Sequence, residues 1–239
     1  MGDNWMTPRR IHLGASELDQ LPRHPNWRYE SLPGGEMALL VPKPRFGHAL
    51  LDLEKWRPSG GLKDVGFRTW EVQDPEDLAG LFSHSFEAFE PLAGLSRKDR
   101  GLAAREALSE AFSGVEGPVS SASIVALNEG NPVGGALVTL LPGGNLDAPG
   151  AWRWHEPAPA DLELSGAGQP HLTWIFVDPQ RQHEGIAAAM LNFCIRKLRT
   201  LGYRTLASTF LTGNHASVLW HWRMGFALMS WPGSPRWRN

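Results

Sequence analysis

Apolar residues recur with two different spacings in the last third of the chain, and the spacing separates predicted strands from predicted helices. The run HLTWIFV at 171–177 is short and apolar, which is typical of a buried strand. Over 185–203 apolar residues return every three or four positions, as in an amphipathic helix. A strand at 204–211 and a helix at 214–226 follow. The strand–helix–strand unit from 172 to 210 is therefore predicted to be parallel, with a right-handed crossover.

The part from residue 66 onward predicts helices and an antiparallel hairpin before that unit. After a short strand, the pattern over 73–86 predicts a helix with Asp74 as its cap. A second helix is predicted from Ser96 to a stop at Gly114. Apolar strands on either side of Asn128–Asn131 are joined by residues typical of a hairpin turn. This order predicts an α/β fold with a mixed (α+β) sheet and helices on both faces.

Residues 1–65 differ from the rest of the chain. They are rich in Pro, Trp and short apolar runs, which predicts two or three short strands, and the loop at 57–66 marks a boundary. We therefore predict an N-terminal β-rich extension of unknown role at 1–65 and a principal domain at 66–239. A Gly- and Pro-rich stretch at 142–170 is long enough to be either functional or disordered.

Composition narrows the function classes. The chain has 239 residues, of which 42% are hydrophobic, and a formal net charge of −2, so it has no overall basic field for binding nucleic acid or an anionic membrane. It lacks the apolar core of a signal peptide and any run of membrane-spanning length. A single cysteine, Cys194, excludes internal disulfides, and the scattered histidines lack metal-site spacing. A cytoplasmic protein without a bound metal is expected.

The segment between the strand and helix of the parallel unit is a candidate anion site. After Val177 the chain turns at Asp178-Pro179, and the peptide units from Gln182 to Ala187 are predicted to form the first turn of the helix. Their N–H groups lack intrahelical partners and lie at the positive end of the helix dipole, where phosphates bind. Gly185 lets the backbone approach a cluster of oxygen atoms without an intervening Cβ. On spacing alone, an ordinary helix start capped by solvent explains the segment equally well.

Two motifs in these segments resemble those of a known superfamily. The spacing V-x-P-x-x-Q-x-x-G-x-A, from Val177 to Ala187, resembles the acetyl-CoA pyrophosphate loop of the GNAT acetyltransferases. The late segment with Asn214, Ser217 and the Gly225-Phe226 pair resembles the superfamily's last motif. With the element order, the resemblance covers about residues 66–239. It implies a GNAT-like acyl-CoA N-acyltransferase fold.

The resemblance also implies a co-substrate and its contacts. Acetyl-CoA would lie where the two parallel strands separate, with its pyrophosphate on the helix-start amides and its thioester carbonyl near a backbone N–H of 175–177. Such enzymes transfer the acyl group directly to an amine, here an unknown small molecule or peptide. The predicted cofactor-binding residues are Ile175, Phe176, Val177, Gln182, His183, Glu184, Gly185, Ile186, Ala187, Ala188, Asn214 and Ser217.

Catalytic candidates follow from the same resemblance. Many relatives place a leaving-group Tyr four residues before the final Gly, and this chain has His221 there, whose imidazolium can also donate a proton. The alternative is a structural histidine among tryptophans. His171, with Thr173, is the candidate base acting through water, and the alternative is a surface residue. Cys194 is expected to pack as a small apolar residue rather than to act as a nucleophile.

Three functions stay open at this point. The first is an acetyl-CoA-dependent N-acetyltransferase, acting as a monomer or homodimer. The second is an acyl-CoA-binding module that has lost catalysis, suggested by the missing Tyr. The third is transfer of a longer acyl group, because acyl length depends on the shape of the pocket.

Overall fold

A computed structural model describes ten segments of the chain. It gives the backbone throughout these segments and the side chains from residue 47 onward; the segments are 9–12, 27–31, 37–42, 46–57, 65–89, 92–93, 95–115, 117–143, 154–211 and 214–229. The chain forms two compact units, residues 1–46 with 210–218, and residues 47–209 with 219–239. No helix among the described residues has the length and apolarity needed to cross a membrane.

Two sheets account for the strands of the described segments. A three-stranded antiparallel sheet has the order β1-β3-β2, and a seven-stranded sheet has the order β10-β4-β9-β8-β7-β6-β5. The strands are β1 Arg9–His12, β2 Trp27–Ser31, β3 Met37–Pro42, β4 Phe46–Asp52, β5 Gly66–Thr69, β6 Ile124–Asn128, β7 Asn131–Leu141, β8 Gln169–Val177, β9 Thr205–Leu211 and β10 Ala227–Met229.

The larger sheet is mixed, as the sequence predicted. Strands β8 and β9 are parallel, whereas β10–β4, β5–β6, β6–β7 and β7–β8 pair antiparallel. Strand β4 comes from the segment that sequence analysis assigned to the N-terminal extension, and it lies between β9 and β10. The extension therefore supplies a strand to the sheet that carries the parallel unit.

Helices cover both faces of this sheet. The helices are α1 Asp74–Asp77, α2 Ala79–Ser85, α3 Arg97–Phe112, α4 Ile186–Thr200 and α5 His215–Arg223. Adjacent residues of a strand face opposite sides, so two neighbouring glycines of β7 show what packs on each face. A Cβ at Gly134 would lie 3.1 Å from Met190 of α4, and one at Gly135 would lie 2.7 Å from the Phe176 ring. Phe176 belongs to the apolar core formed with α2 and α3.

The predicted helix over 73–86 is two short helices, and Asp74 does not cap it. The preceding residue, Gln73, is the cap position and makes no side-chain cap bond. The buried carboxylate of Asp74 instead accepts hydrogen bonds from both terminal nitrogens of Arg68, at 2.6 and 2.7 Å, and from the backbone N–H of Glu71. An ion pair with an earlier strand has therefore replaced the local capping bond that the sequence suggested.

Other local predictions are confirmed. Ser96 caps α3, since its hydroxyl accepts from the N–H of Asp99 at 3.2 Å, and Gly114 follows the helix with φ +86°. The hairpin between β6 and β7 turns at Glu129 and Gly130, where φ is +50° and +82°. Two successive positive φ values are the signature of the hairpin turn that the sequence indicated.

Candidate functional site

Strands β8 and β9 are joined along only a short stretch. Their parallel register pairs His171 with Ala207 and Leu172 with Ser208, and no register pair continues it among the described residues. On the other side of β8, Leu137 pairs with Trp174 and Val138 with Leu172, so Thr173 has no residue opposite it and forms a bulge. A bulge bends its strand and increases its twist. The segment of β8 that follows is therefore paired to β7 but not to β9.

The loop after β8 holds the predicted phosphate-binding residues in an open position. Asp178 accepts a hydrogen bond from the N–H of Gln180 at 2.9 Å and starts a single turn of 3-10 helix at Pro179–Arg181. The residues that follow are exposed as far as the start of α4. These exposed residues are Gln182, His183, Glu184 and Gly185.

The prediction that the first helical turn begins at Gln182 is wrong. Helix α4 begins at Ile186, because Gln182 is extended and His183 and Gly185 have φ of +69° and +86°. Left-handed residues interrupt a right-handed helix. Ile186 turns its side chain into the core and is 1% exposed, so that only its backbone remains for a ligand. Ala187, like Ala188, is half-buried in the first turn.

Gly185 has a structural reason beside the ligand contact inferred from sequence, which stays a prediction. It is the cap residue of α4 in the left-handed conformation, and a Cβ placed on it would meet nothing within 4 Å. The left-handed backbone conformation therefore explains why this position is glycine, and steric contact with neighbouring residues does not. The open space around it also leaves the backbone accessible to an oxygen-rich ligand.

Arg181 is a residue of this loop that sequence analysis missed. Its guanidinium pairs with Glu184 through Nε at 2.9 Å and Nη2 at 2.7 Å. Its remaining terminal nitrogen, Nη1, is buried and has no hydrogen-bond partner in the described part of the chain. A buried donor without a partner is costly and suits a ligand that supplies oxygen atoms. The signal available in the sequence was an arginine directly before the motif's glutamine.

Asn214 caps helix α5. Its Oδ1 accepts from the N–H of Ser217 at 3.0 Å, and its carbonyl accepts from Val218 at 3.0 Å. This is the capping arrangement that the sequence indicated. The assignment of Asn214 and Ser217 to cofactor binding stays a prediction.

His171 is a core residue, so the surface alternative is wrong. It is 7% exposed, and its Nδ1 lies 3.0 Å from Oγ1 of Thr173, the pair that the sequence predicted would act together. Its Nε2 lies 2.9 Å from Oγ1 of Thr209 on β9. Burial, with smaller contributions from His48 and His221, lowers the pKa of His171 to about 3. The ring is therefore neutral at physiological pH.

His221 is buried as well, at 3% exposure. Its Nε2 lies 2.8 Å from the hydroxyl of Ser208, which itself donates to the carbonyl of Leu172. Because a hydroxyl has one proton, Nε2 of His221 is the donor to Ser208. The ring packs edge-on against Trp220 and Phe226, with centroids 5.0 and 4.9 Å apart.

Cys194 is the remaining residue that the sequence singled out. Cys194 is fully buried on α4, and burial raises the pKa of its thiol to about 12, so it stays protonated and unreactive. Among the described residues, no group of three or more His, Cys, Asp or Glu side chains is placed to hold a metal ion. Trp152, which lies in the long loop, is outside the described residues.

Comparison with known proteins places the chain in a family. A search of curated proteins finds no match. Among solved structures, similar ones include an integron cassette protein from V. cholerae, with 20% identity over 74% of this chain and 94% of that one, and TM-score 0.49. A putative GNAT acetyltransferase from Desulfovibrio desulfuricans has 22% identity over 70% and 87%, and TM-score 0.47. An aminoglycoside N-acetyltransferase in complex with CoA has 19% identity over 77% and 98%, and TM-score 0.45.

The sequence itself carries the assignment. The profile of the acetyltransferase (GNAT) family matches residues 86–226, which is more than half of the chain. The match includes the loop at Gly185, the bulge at Thr173 and helix α5. The chain belongs to the GNAT acetyltransferase family.

Proposed function

We propose that the chain is an N-acetyltransferase that uses acetyl-CoA and acetylates an amine of a small molecule or peptide. One observation carries the proposal: an exposed loop with a left-handed Gly185 follows directly after the segment of β8 that is not paired to β9. A pyrophosphate can accept hydrogen bonds from the backbone amides between Gln182 and Ala188 at the start of α4. Arg181 supplies a cation and a donor beside them.

The thioester would lie along β8 beyond the bulge. There, backbone N–H groups of Ile175, Phe176 and Val177 are candidates to polarise its carbonyl, and no charged side chain is required. When bound, acetyl-CoA supplies the activated acyl carbon. The amine nitrogen attacks that carbon, the C–N bond forms and the C–S bond breaks.

Two protons move in this reaction. The amine loses one, for which His171 and Thr173 are the proposed acceptors, and the departing thiolate gains one, for which His221 is the proposed donor. The bond from His221 to Ser208 requires the donated proton either to come from Nδ1 or to leave Nε2 as that bond breaks. We place the reaction in the cytoplasm, with a monomer or homodimer as the active form.

Calorimetric titration tests the cofactor first. The purified full chain is titrated with acetyl-CoA, with CoA and with S-acetylpantetheine, which lacks the pyrophosphate. We expect the first two to bind and the third to bind at least ~100-fold more weakly, because the loop amides would have nothing to hold. Equal binding of all three, or binding of none, would overturn the assignment of the loop. Thiol release from acetyl-CoA with a panel of amines then tests transfer.

A second candidate is an acyl-CoA-binding module without catalysis. The observation that favours it is the burial of His221 and its bond to Ser208, which suit a structural role at the position of the family's acid. Tight acetyl-CoA binding without thiol release for any amine would support this candidate. Repeating the assay with propionyl-CoA and longer acyl-CoA esters distinguishes both from a transferase for longer acyl groups.

A further inference from the structure

A chain of hydrogen-bonding side chains crosses four neighbouring strands of the large sheet. His48 of β4 and His171 of β8 both contact the hydroxyl of Thr209 on β9, at 3.4 Å from His48 Nδ1 and 2.9 Å from His171 Nε2. From the other side of His171 the chain continues to Thr173 at 3.0 Å and on to Thr139 of β7 at 2.8 Å. No motif or spacing in the sequence connects His48 with this site.

The Thr209 hydroxyl couples the two rings that flank it. It has one proton to donate, and the described residues offer it no partner other than the two rings. If that proton points to His171, then His48 must donate from Nδ1, and His171 carries its own proton on Nδ1. If it points to His48, then His171 must donate from Nε2, and His48 carries its proton on Nε2. When both rings are neutral, they therefore share the same tautomer in either arrangement.

We infer that His48 is a positioning residue that acts through Thr209 to set the tautomer of His171 and to receive the proton that His171 passes on. The inference rests on the proposed function, because the proton is the one that the amine loses. It adds a residue of the N-terminal segment to the proposed site. It also gives strand β4 a chemical role besides its place in the sheet.

The proton transfer is balanced at each step along this series of hydrogen-bonded side chains. In the arrangement with the His171 proton on Nε2, the Thr173 hydroxyl turns from the carbonyl of His171, 3.4 Å away, to Nδ1 of the same residue. Thr173 then accepts a proton from the amine, directly or through water, and passes its own proton to Nδ1. His171 releases the proton on Nε2 to Thr209, and Thr209 passes its proton to Nδ1 of His48. Only O–H and N–H bonds form and break, and the amine proton is replaced by one that ends on His48. His171 begins and ends neutral, with its tautomer exchanged.

The surroundings of His171 favour passing a proton through the ring rather than holding it there. His171 and His48 are each 7% exposed, and Thr139 is fully buried, so bulk water does not compete for the hydrogen bonds. The low pKa of His171 means that an imidazolium at this position would give up its proton readily. Thr173 lies at the bulge, two residues before the backbone N–H groups of 175–177 to which the thioester is assigned.

Nitrogen-15 NMR of the histidine side chains tests the coupling in the full chain without any ligand. Spectra of His48→Asn and His171→Asn variants assign the two rings. We expect the wild-type rings at neutral pH to share one tautomer, to lose this agreement in Thr209→Val, and to keep it in the matched Thr209→Ser variant. Opposite tautomers in the wild type, or agreement that survives in Thr209→Val, would overturn the coupling.

Kinetics on the same variants test the relay. We expect Thr209→Val to lower kcat by about 10–100-fold with an unchanged KM for acetyl-CoA, and Thr209→Ser to retain most of the activity, since general acid–base contributions lie in or above this range. Unchanged kcat in Thr209→Val would overturn the relay. If the wild type transfers no acetyl group, the proposed function fails, and the spectra still decide whether His48 sets the tautomer of His171.

Discussion

His221 donates its Nε2 proton to the hydroxyl of Ser208, across 2.8 Å in the interior of the domain. The bond fixes the ring at the position that the sequence resemblance assigns to the leaving-group acid. The same geometry serves either a proton donor held in place or a packing residue. Substitution at His221 separates these roles.

Replacing His221 by Phe should reduce turnover far more than cofactor binding. We expect kcat to fall by about 10²–10⁴-fold, the usual contribution of a general acid, while the acetyl-CoA Kd stays within about twofold. Steady-state kinetics and calorimetry measure the two quantities. The Ser208→Ala variant is the control for the lost hydrogen bond, because it removes that bond and keeps the imidazole. Full turnover by His221→Phe would assign the ring to packing.

Gly185 and Gly202 form a matched pair at the two ends of helix α4. Their φ values are +86° and +89°, and a Cβ at either would meet nothing within 4 Å. Alanine at either site should therefore destabilise the fold equally, by about 1–2 kcal/mol from the left-handed backbone. Only Gly185→Ala should also weaken acetyl-CoA binding, because only that end carries the proposed loop. Equal affinity of the two variants would count against the loop.

The free energy of unfolding should fall at acidic pH partly because of His171. Burial lowers its folded pKa to about 3 from 6.5, so below pH 6.5 the unfolded chain binds a proton that the folded chain does not. The contribution of His171 to the free energy of unfolding is fully present above pH 6.5. It is lost as the pH falls toward 3, by up to about 1.4 kcal/mol per pH unit. Urea unfolding from pH 7.5 to 4 measures how the free energy of unfolding depends on pH. In His171→Asn this dependence should correspond to one proton fewer bound on unfolding than in the wild type. Identical slopes would contradict the low pKa.

The ion pair of Arg68 and Asp74 should matter more to stability than a neighbouring surface pair. The carboxylate of Asp74 is fully buried and its two contacts to Arg68 are 2.6 and 2.7 Å, so Asp74→Ala leaves a partly buried guanidinium without its partner and should cost about 3–5 kcal/mol. Glu76 pairs with Arg105 at 2.7 Å, but both side chains are at least half exposed. The control Glu76→Ala should change the free energy of unfolding by less than about 1 kcal/mol. Equal losses in urea unfolding would refute this ranking.

The local signals of the chain predicted much of the fold. The cap at Ser96, the positive-φ turn at Glu129 and Gly130, and the helix periodicity after Gly185 depend on residues a few positions apart. Secondary-structure propensity, helix capping and turn chemistry act over that range, so the elements they produce can be predicted from the sequence. The same range carried the family motif and the pairing of His171 with Thr173.

Two features were not predicted from the sequence pattern, although the residues that decide them lie within six positions of one another. Asp74 binds Arg68 of the preceding strand rather than capping helix α1. Helix α4 starts at Ile186 because Gly185 before it adopts left-handed backbone angles that the hydrophobic pattern does not specify.

What the sequence by itself determined is the family, the element order and the loop. Only the tertiary structure decided that β4 enters the sheet beside β9 and brings His48 to Thr209, 161 positions along the chain. The physical reason is that the order of strands in a sheet depends on the burial of whole sheet faces and on chain connectivity. The residues next to His48 in the sequence therefore do not indicate which strand will lie beside it.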